Sequence, residues 1–416
     1  MIVVSQKRFA LAGYMLLLFI LSISGCSTTK ENAPMTKSDI LAFHNQILTI
    51  DTHVDTPLRL KYEGIDLGQK YNPREIKSKL DYPRMDEGGL DAAFFAVWTP
   101  QGVRNDSGHA AIKARALEII ESVENMVAKY PDQGAMAYTS IEAAALAEQG
   151  KHAIYLGMEN GYPLGRDIEN LDLFYEKGIH YVTLCHTSNN DICDSSNDTT
   201  EHGGLSSFGI QVVKRMNDLG MMVDISHVSD ATVEDILEHS RAPVIASHSC
   251  SRAVCDNPRN INDDLLTRIA KQGGVIQMCL YSGYVLPEAP NPDRDSARAA
   301  LKAKWGNPYQ FKGVEKMAYR AERKKLNRKH PQILPTVSDI VDHIDHIVKL
   351  VGIDHVGIGT DFDGGAGLAD CFDVSELPNI TLELFKRGYS KSDIRKIWSG
   401  NLLRVFNKVE QLVATQ

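Results

Sequence analysis

The feature that most constrains this chain is an alternation of short apolar, β-branched runs with segments of helical period. The runs are Ile47-Leu48-Thr49-Ile50 (running into Asp51), Ala92 to Trp98, Ala153 to Met158, His180 to Cys185, Met221 to Ile225, Val244 to Ala246, Val275 to Leu280 and His355 to Gly359. Short unbroken runs of this kind suit parallel strands buried on both faces. Between the second and third, Ile112, Leu117, Ile120, Val123 and Val127 return every three or four residues. Before the eighth, Val337, Ile340, Val341, Ile344, Ile347 and Val348 do the same. Ser229 is placed as an N-cap ahead of Asp230, and Gly273-Gly274 ends a helix that starts near Asn262. Eight strand–helix units predict an α/β fold, a (β/α)8 TIM barrel. An open doubly wound sheet is the runner-up, weakened because no GxGxxG or GxxxxGK[ST] phosphate loop follows any run. The stretch 284–335, after strand seven, is too long for an ordinary connection. Its basic part, Lys316 to Lys329, reads as a solvated helix on an insertion or, in a functional reading, as a lid beside the active-site mouth.

The N-terminus belongs to another class. Lys7 and Arg8 precede an apolar run from Phe9 to Ile23, too short to span a bilayer comfortably and followed at once by small residues, as in an export signal. Ile23-Ser24-Gly25-Cys26 resembles a bacterial lipobox, which implies a signal peptide over 1–25 and lipidation of Cys26. Ser27 then favours the outer membrane, facing the periplasm. Residues 26–37 read as a polar tether and 38–416 as a single barrel domain. Loss of Lys7 and Arg8 takes the formal charge from −8 to −10. An acidic chain with no basic domain argues against binding to a phosphate backbone, so no nucleic-acid partner is expected. Six cysteines remain: Cys185, Cys193, Cys250, Cys255, Cys279 and Cys371. No CxxC pair suggests a thiolate metal site, and disulfide connectivity cannot be read from spacing, so cysteine is taken as structural.

In such a barrel, chemistry sits at the C-terminal ends of the strands. His53 and Asp55 stand at the end of the first, Glu159 at the third, His186 at the fourth, His227 at the fifth, His248 at the sixth and Asp361 at the eighth. In extended backbone, positions i and i+2 share a side, so His53 and Asp55 can hold one metal together. His227 and His248, from adjacent strands, can converge on a second, and Glu159 can give one oxygen to each. Two metals about 3.5 Å apart can bind a shared hydroxide, a strong nucleophile at neutral pH. Taken singly each residue has a plainer explanation, such as a capped turn, a loop acid or a satisfied core histidine; the set is what points to a metal centre. His343 and His346 lie on the polar flank of their helix with Asp342 and Asp345, which reads as a solvated face. His109 and His202 receive no role.

Ile50-Asp51-Thr52-His53-Val54-Asp55-Thr56-Pro57, Gly157-Met158-Glu159-Asn160-Gly161, Asp224-Ile225-Ser226-His227-Val228-Ser229, Ala246-Ser247-His248-Ser249 and Gly357-Ile358-Gly359-Thr360-Asp361-Phe362-Asp363-Gly364 occur in this order. Together they resemble the membrane dipeptidase (renal dipeptidase) family, zinc peptidases of the amidohydrolase superfamily. The likeness covers roughly residues 45–410 and extends to Gly400-Asn401-Leu402-Leu403-Arg404-Val405-Phe406. It implies a barrel of the metal-dependent hydrolase type with two Zn²⁺ per subunit: His53 and Asp55 on the first, His227 and His248 on the second, Glu159 bridging. By the same resemblance His186 polarises the scissile carbonyl, Arg259 holds the substrate carboxylate, and Asp361 carries the proton, with Asp363 as the nearby fallback.

The implied activity is hydrolysis of dipeptides, including L-Xaa-D-Xaa, by a metal-bridging hydroxide, and the implied assembly is a homodimer. An N-acyl-amino-acid deacylase or lactam-hydrolysing amidase on the same metals is the alternative. Outside enzymes, the alternative is a periplasmic metal- or peptide-binding lipoprotein, disfavoured because His186 and Asp361 are present beyond the five ligands. Thr52 departs from the glycine of many members, and the insertion is longer than in the animal enzymes. Cys255 matches a family cysteine, but the other cysteines do not reproduce the animal pairing.

Overall fold

The computed structural model describes residues 35–74, 78–288, 290–306 and 313–414. The segments expected to be a signal peptide and lipobox with Cys26, and most of the expected tether, fall outside them. Among the described residues no helix is long and apolar enough to cross a membrane. Residues Lys37–Gln416 form one compact unit.

Eight parallel strands run in sequence order around a nearly closed barrel: β1 Ile50–Val54, β2 Ala92–Trp98, β3 His152–Glu159, β4 Ile179–Thr183, β5 Met222–Asp224, β6 Ile245–Ser249, β7 Val275–Met278 and β8 Val356–Ile358. A further three-residue strand, Gly134–Met136, joins β3 from outside this path and was not expected from sequence. Register is set early, with Ile50 opposite Ala92 and Trp98 opposite Glu159. Apolar side chains of β2 and β3 fill the barrel's lower end, where Phe94 stacks on Tyr155 and Tyr181. Phe406, from the C-terminal helix Asn401–Ala414, closes that end against Phe94 and Tyr155.

The first strand departs from expectation. It begins where the apolar run Ile47–Ile50 ends and carries Asp51, Thr52 and His53 into the interior, all buried. These polar residues tolerate burial because each finds a partner. Asp51 accepts from Thr360 N (2.9 Å), Thr360 Oγ1 (2.5 Å) and His53 N (3.1 Å), and Thr52 Oγ1 donates to Ser247 O (2.6 Å). The Asp51 bonds belong to the seam where β8 meets β1. Only Asp361 N→His53 O (2.9 Å) and Asp55 N→Phe362 O (2.8 Å) join the two backbones there, so side chains complete the closure.

The helices follow their caps. Helix α1, Thr56–Glu63, starts directly after Asp55 with Pro57 in its first turn. Helix α2, Asp106–Ala128, is capped by Asn105 and buries Ile112, Ile119, Ile120, Val123 and Val127. Helix α3, Asp230–His239, is capped by Ser229, and α4, Asp263–Lys271, by Asn262. The insertion folds as α5, Pro292–Trp305, and α6, Gly313–Lys329, joined by a Trp305 Nε1 to Glu322 bond of 3.0 Å. Arg320 of α6 reaches Glu63 at the end of α1 (3.1 Å), so the basic helix contacts the helix that follows β1.

Helix α7, Val337–Val351, corrects one reading. His343 does not face solvent: it is fully buried, accepting from Ser251 N (3.1 Å) and donating to Val285 O (2.9 Å). His346 is half-buried and pairs with Asp263 at 2.8 Å. All six cysteines from Cys185 to Cys371 are buried free thiols.

Candidate metal centre

Glu159, the last residue of β3, stands at the middle of the site. Its Oε2 lies 3.4 Å from His53 Nε2, and its Oε1 lies 3.0, 3.5 and 3.6 Å from the Nε2 atoms of His227, His186 and His248. One carboxylate oxygen thus faces β1 and the other faces the histidines of the opposite wall. His227 and His248 approach to 2.9 Å through Nε2, and His53 overlaps His248 with ring centroids 3.8 Å apart. Three overlapping groups have ligand atoms within 4.8 Å of one another: His53, Glu159 and His248; Glu159, His186 and His227; His53, Asp55 and Asp361.

Asp55 reaches this cluster by a route other than strand alternation. Its φ of −86° and ψ of 18° show the chain already turning into α1, and Asp55 N bonds across the seam to Phe362 O. Asp361 comes to the same point from β8. A Cβ on Gly364 would lie 2.0 Å from Asp361 Oδ1 and 2.1 Å from Asp55 Oδ2, so only glycine leaves room for both carboxylates.

Asp361 (φ 61°), His227 (φ 70°), Asp363 (φ 69°) and Asn160 (φ 77°) are the non-glycine residues in left-handed backbone among those described. Such conformations cost free energy and persist where surrounding structure imposes them. At His227 the carbonyl is held by Ser196 N (2.8 Å) and Ser195 Oγ (3.4 Å). Asp363 accepts from Thr56 Oγ1 and Lys79 N (both 2.9 Å) with Arg59 at 3.8 Å, so its oxygens serve the loop. That occupation leaves Asp361, not Asp363, beside His53 and Asp55.

The electrostatics are those of crowded, buried charge. Burial pushes Asp361 up to about 7, helped by Glu159 and opposed by His53. Burial and the neighbouring Glu159 carboxylate raise Asp55 well above the usual range. Burial also works to raise Glu159, but His53 and His186 outweigh it and hold Glu159 ionised. His227 and His248 are kept neutral by burial, with the Arg259 charge acting in the same direction.

The residues fit a metal. His53 Nε2 and Asp55 Oδ1 are buried in this cluster without a hydrogen-bond partner, an expensive arrangement for polar atoms unless something else takes their lone pairs. Imidazole and carboxylate donors without thiolate suit Zn²⁺ and similar divalent ions. His186 is the most open of the group, its side chain 23% exposed and its ring edge-on to Trp98. Arg259 is buried beside the site, donating to Ser249 Oγ (2.6 Å) and His248 O (2.7 Å), with Nε unpartnered.

Sequence reasoning missed the residues behind these histidines. Tyr181 Oη lies 2.8 Å from His53 Nδ1, Ser247 Oγ lies 2.8 Å from His248 Nδ1, and Asp224 holds Ser247 at 2.6 Å. Asp224 and Ser247 stand within the quoted motifs, each immediately ahead of a histidine segment, and that proximity was the available signal.

The family model for membrane dipeptidase (peptidase family M19) matches residues 38–416. Dipeptidase 3 of Rattus norvegicus is 31% identical over 391 residues, covering 91% of this chain and 68% of the relative. Dipeptidase tcpJ of Claviceps purpurea is 30% identical over 362 residues, covering 85% and 75%. The crystal structure of the probable dipeptidase PvdM from Pseudomonas aeruginosa is 32% identical and superposes with a TM-score of 0.78, covering 90% of this chain and 98% of that one. On this match of fold, length and sequence, the chain belongs to the membrane dipeptidase family, peptidase family M19.

Proposed function

We propose that this metallodipeptidase works with two zinc ions, accepts dipeptides with a D-residue at the C-terminal position, and acts as a lipoprotein anchored through Cys26 in the outer membrane, facing the periplasm. The single observation that carries the two-metal reading is Glu159, whose two oxygens face different histidine groups among buried, unpartnered donor atoms. His53 and Asp55 would hold one ion, His227 and His248 the other, and Glu159 would be shared. The ions, when bound, supply Lewis acidity toward the scissile carbonyl and lower the pKa of the attacking water.

The chain's own residues do the rest. Asp361, near 7, is poised to take a proton at one carboxylate oxygen and return it to the leaving amine. His186, open to the mouth and kept mostly neutral by burial, can donate from its ring to the developing oxyanion. Arg259 presents a planar guanidinium, fixed on one edge by Ser249 and His248 O, to a terminal carboxylate. A carboxylate held there restricts cleavage to the bond one residue away, which separates a dipeptidase from a general peptidase. The D-residue preference rests on the family resemblance, and the anchor on Lys7, Arg8 and the segment ending in Cys26.

The test is a panel of L,L and L,D dipeptides and N-acyl amino acids, given to zinc-loaded protein lacking residues 1–26. Turnover of L,D dipeptides, absent after chelation and restored by zinc, is expected. Cleavage of N-acyl amino acids with no dipeptide turnover would replace this reading with a deacylase.

A further inference from the structure

The geometry points to Tyr181 and Ser247 as positioning residues that fix which ring nitrogen of His53 and His248 carries the proton, and so aim both Nε2 lone pairs at the metal centre. This rests on the two-metal reading above.

A hydroxyl has one proton, and each of these two spends it elsewhere. Tyr181 Oη donates to Thr52 O (3.1 Å), a carbonyl that can only accept. Its 2.8 Å contact with His53 Nδ1 must therefore be a bond it receives, with the proton on Nδ1. Ser247 Oγ donates to Asp224 Oδ2 (2.6 Å), so its 2.8 Å contact with His248 Nδ1 is likewise received. Asp224 is held in turn by Thr183 Oγ1 (2.5 Å), Ser226 N (3.0 Å) and Ser247 N (2.8 Å), which leaves it no freedom to turn away. With Nδ1 protonated, each ring keeps its Nε2 lone pair on the Glu159 side, where His53 Nε2 lies buried without a hydrogen bond. The Tyr181 bond therefore leaves Nε2 as the nitrogen of His53 that is free to meet a metal.

The barrel makes room for this. A Cβ on Gly157 would come within 2.1 Å of the Tyr181 ring, so the strand-interior glycine lets Tyr181 lie across the barrel to His53. Thr52 supplies the acceptor from the same strand as the ligand it helps to orient.

The test uses the full chain and cobalt(II) as the probe, comparing wild type with Tyr181→Phe and Ser247→Ala. Equilibrium titration followed by the cobalt absorption bands should show two sites in the wild type. Each variant should weaken binding by about 10- to 100-fold with altered bands, while the metal-free unfolding midpoint stays close to wild type. Binding within twofold of wild type, or weakening that merely tracks a fall in the metal-free midpoint, overturns the assignment. Nitrogen-15 chemical shifts of the zinc-loaded wild type give a check that needs no variant. Ligation through Nδ1 of His53 or His248 overturns the assignment; ligation through Nε2 with a protonated Nδ1 supports it. Wild-type protein that binds no cobalt overturns the two-metal reading itself, and this inference with it.

Discussion

Replacing Gly157 by alanine adds one methyl group, and the structure fixes where its cost falls. The new Cβ would lie 2.1 Å from Tyr181 Cζ and 2.4 Å from Cε1 and Cε2. Ordinary carbon–carbon contact is about 3.5 Å, so ring and strand must separate by roughly 1.4 Å. Phe94 stacks near Tyr181 with ring centroids 5.6 Å apart, which limits the ring's escape, and a shift of that size breaks the 2.8 Å bond to His53. Overpacking costs about 1–3 kcal/mol and the lost hydrogen bond about 1 more. At about 2.1 cal/mol/K per residue, the compact unit Lys37–Gln416 has an unfolding entropy near 0.8 kcal/mol/K, so the metal-free midpoint should fall by roughly 3–5 °C. Urea unfolding of Gly157→Ala, Tyr181→Leu and the double variant tests the cause. With the ring gone the methyl has space, and the double variant should be less destabilised than the sum of the singles by about 1–3 kcal/mol. Additivity within about 0.5 kcal/mol would refute the claim that Gly157 exists to admit Tyr181.

Two further outcomes are expected. Asp361→Asn should cut dipeptide turnover by about 10²- to 10⁴-fold while leaving metal occupancy unchanged, and undiminished turnover would remove Asp361 as the proton carrier. Burial holds His180 down to about 4, against 6.5 for the exposed ring, with its Nε2 bonded to Ala137 O at 3.0 Å. The unfolded chain therefore binds the extra proton between pH 6.5 and 4. His180 contributes in full above 6.5, and up to about 3 kcal/mol is lost as pH falls through that window. The stability difference between wild type and His180→Gln should slope across the window and flatten below pH 4; a flat difference throughout would show that burial does not set this histidine's affinity for protons.

The strand order was legible because seven of the eight strands are locally apolar enough to announce themselves. Strand β1 was displaced because its interior residues are Asp51, Thr52 and His53, whose burial is repaid by Thr360 and Ser247, residues about 200 to 300 positions away. The same limit explains His343: its helix shows a polar flank, and only the fold reveals that Ser251 and Val285 cover it with backbone groups. Residues at strand ends could be gathered in advance because a barrel sends them all to one rim. What holds them could not be, since Tyr181 and Asp224 read as ordinary strand residues until their partners, His53 across the barrel and Ser247 on the next strand, are in view.

The seam between β1 and β8 also decides when the protein becomes competent. The residues proposed to hold metal run from His53 to His248, so a nascent or truncated chain can carry every one of them. The partners that hold the first pair in place, Thr360 on Asp51, Asp361 on the His53 carbonyl and Phe362 on Asp55 N, arrive some 300 residues later. Closing a loop of that length is an entropic cost met only when the last strand docks. On the proposed metal centre, loading would become a test of completeness: a fragment ending before residue 360 lacks the seam contacts on Asp51, His53 and Asp55 and is expected to hold an ion more weakly than the whole chain.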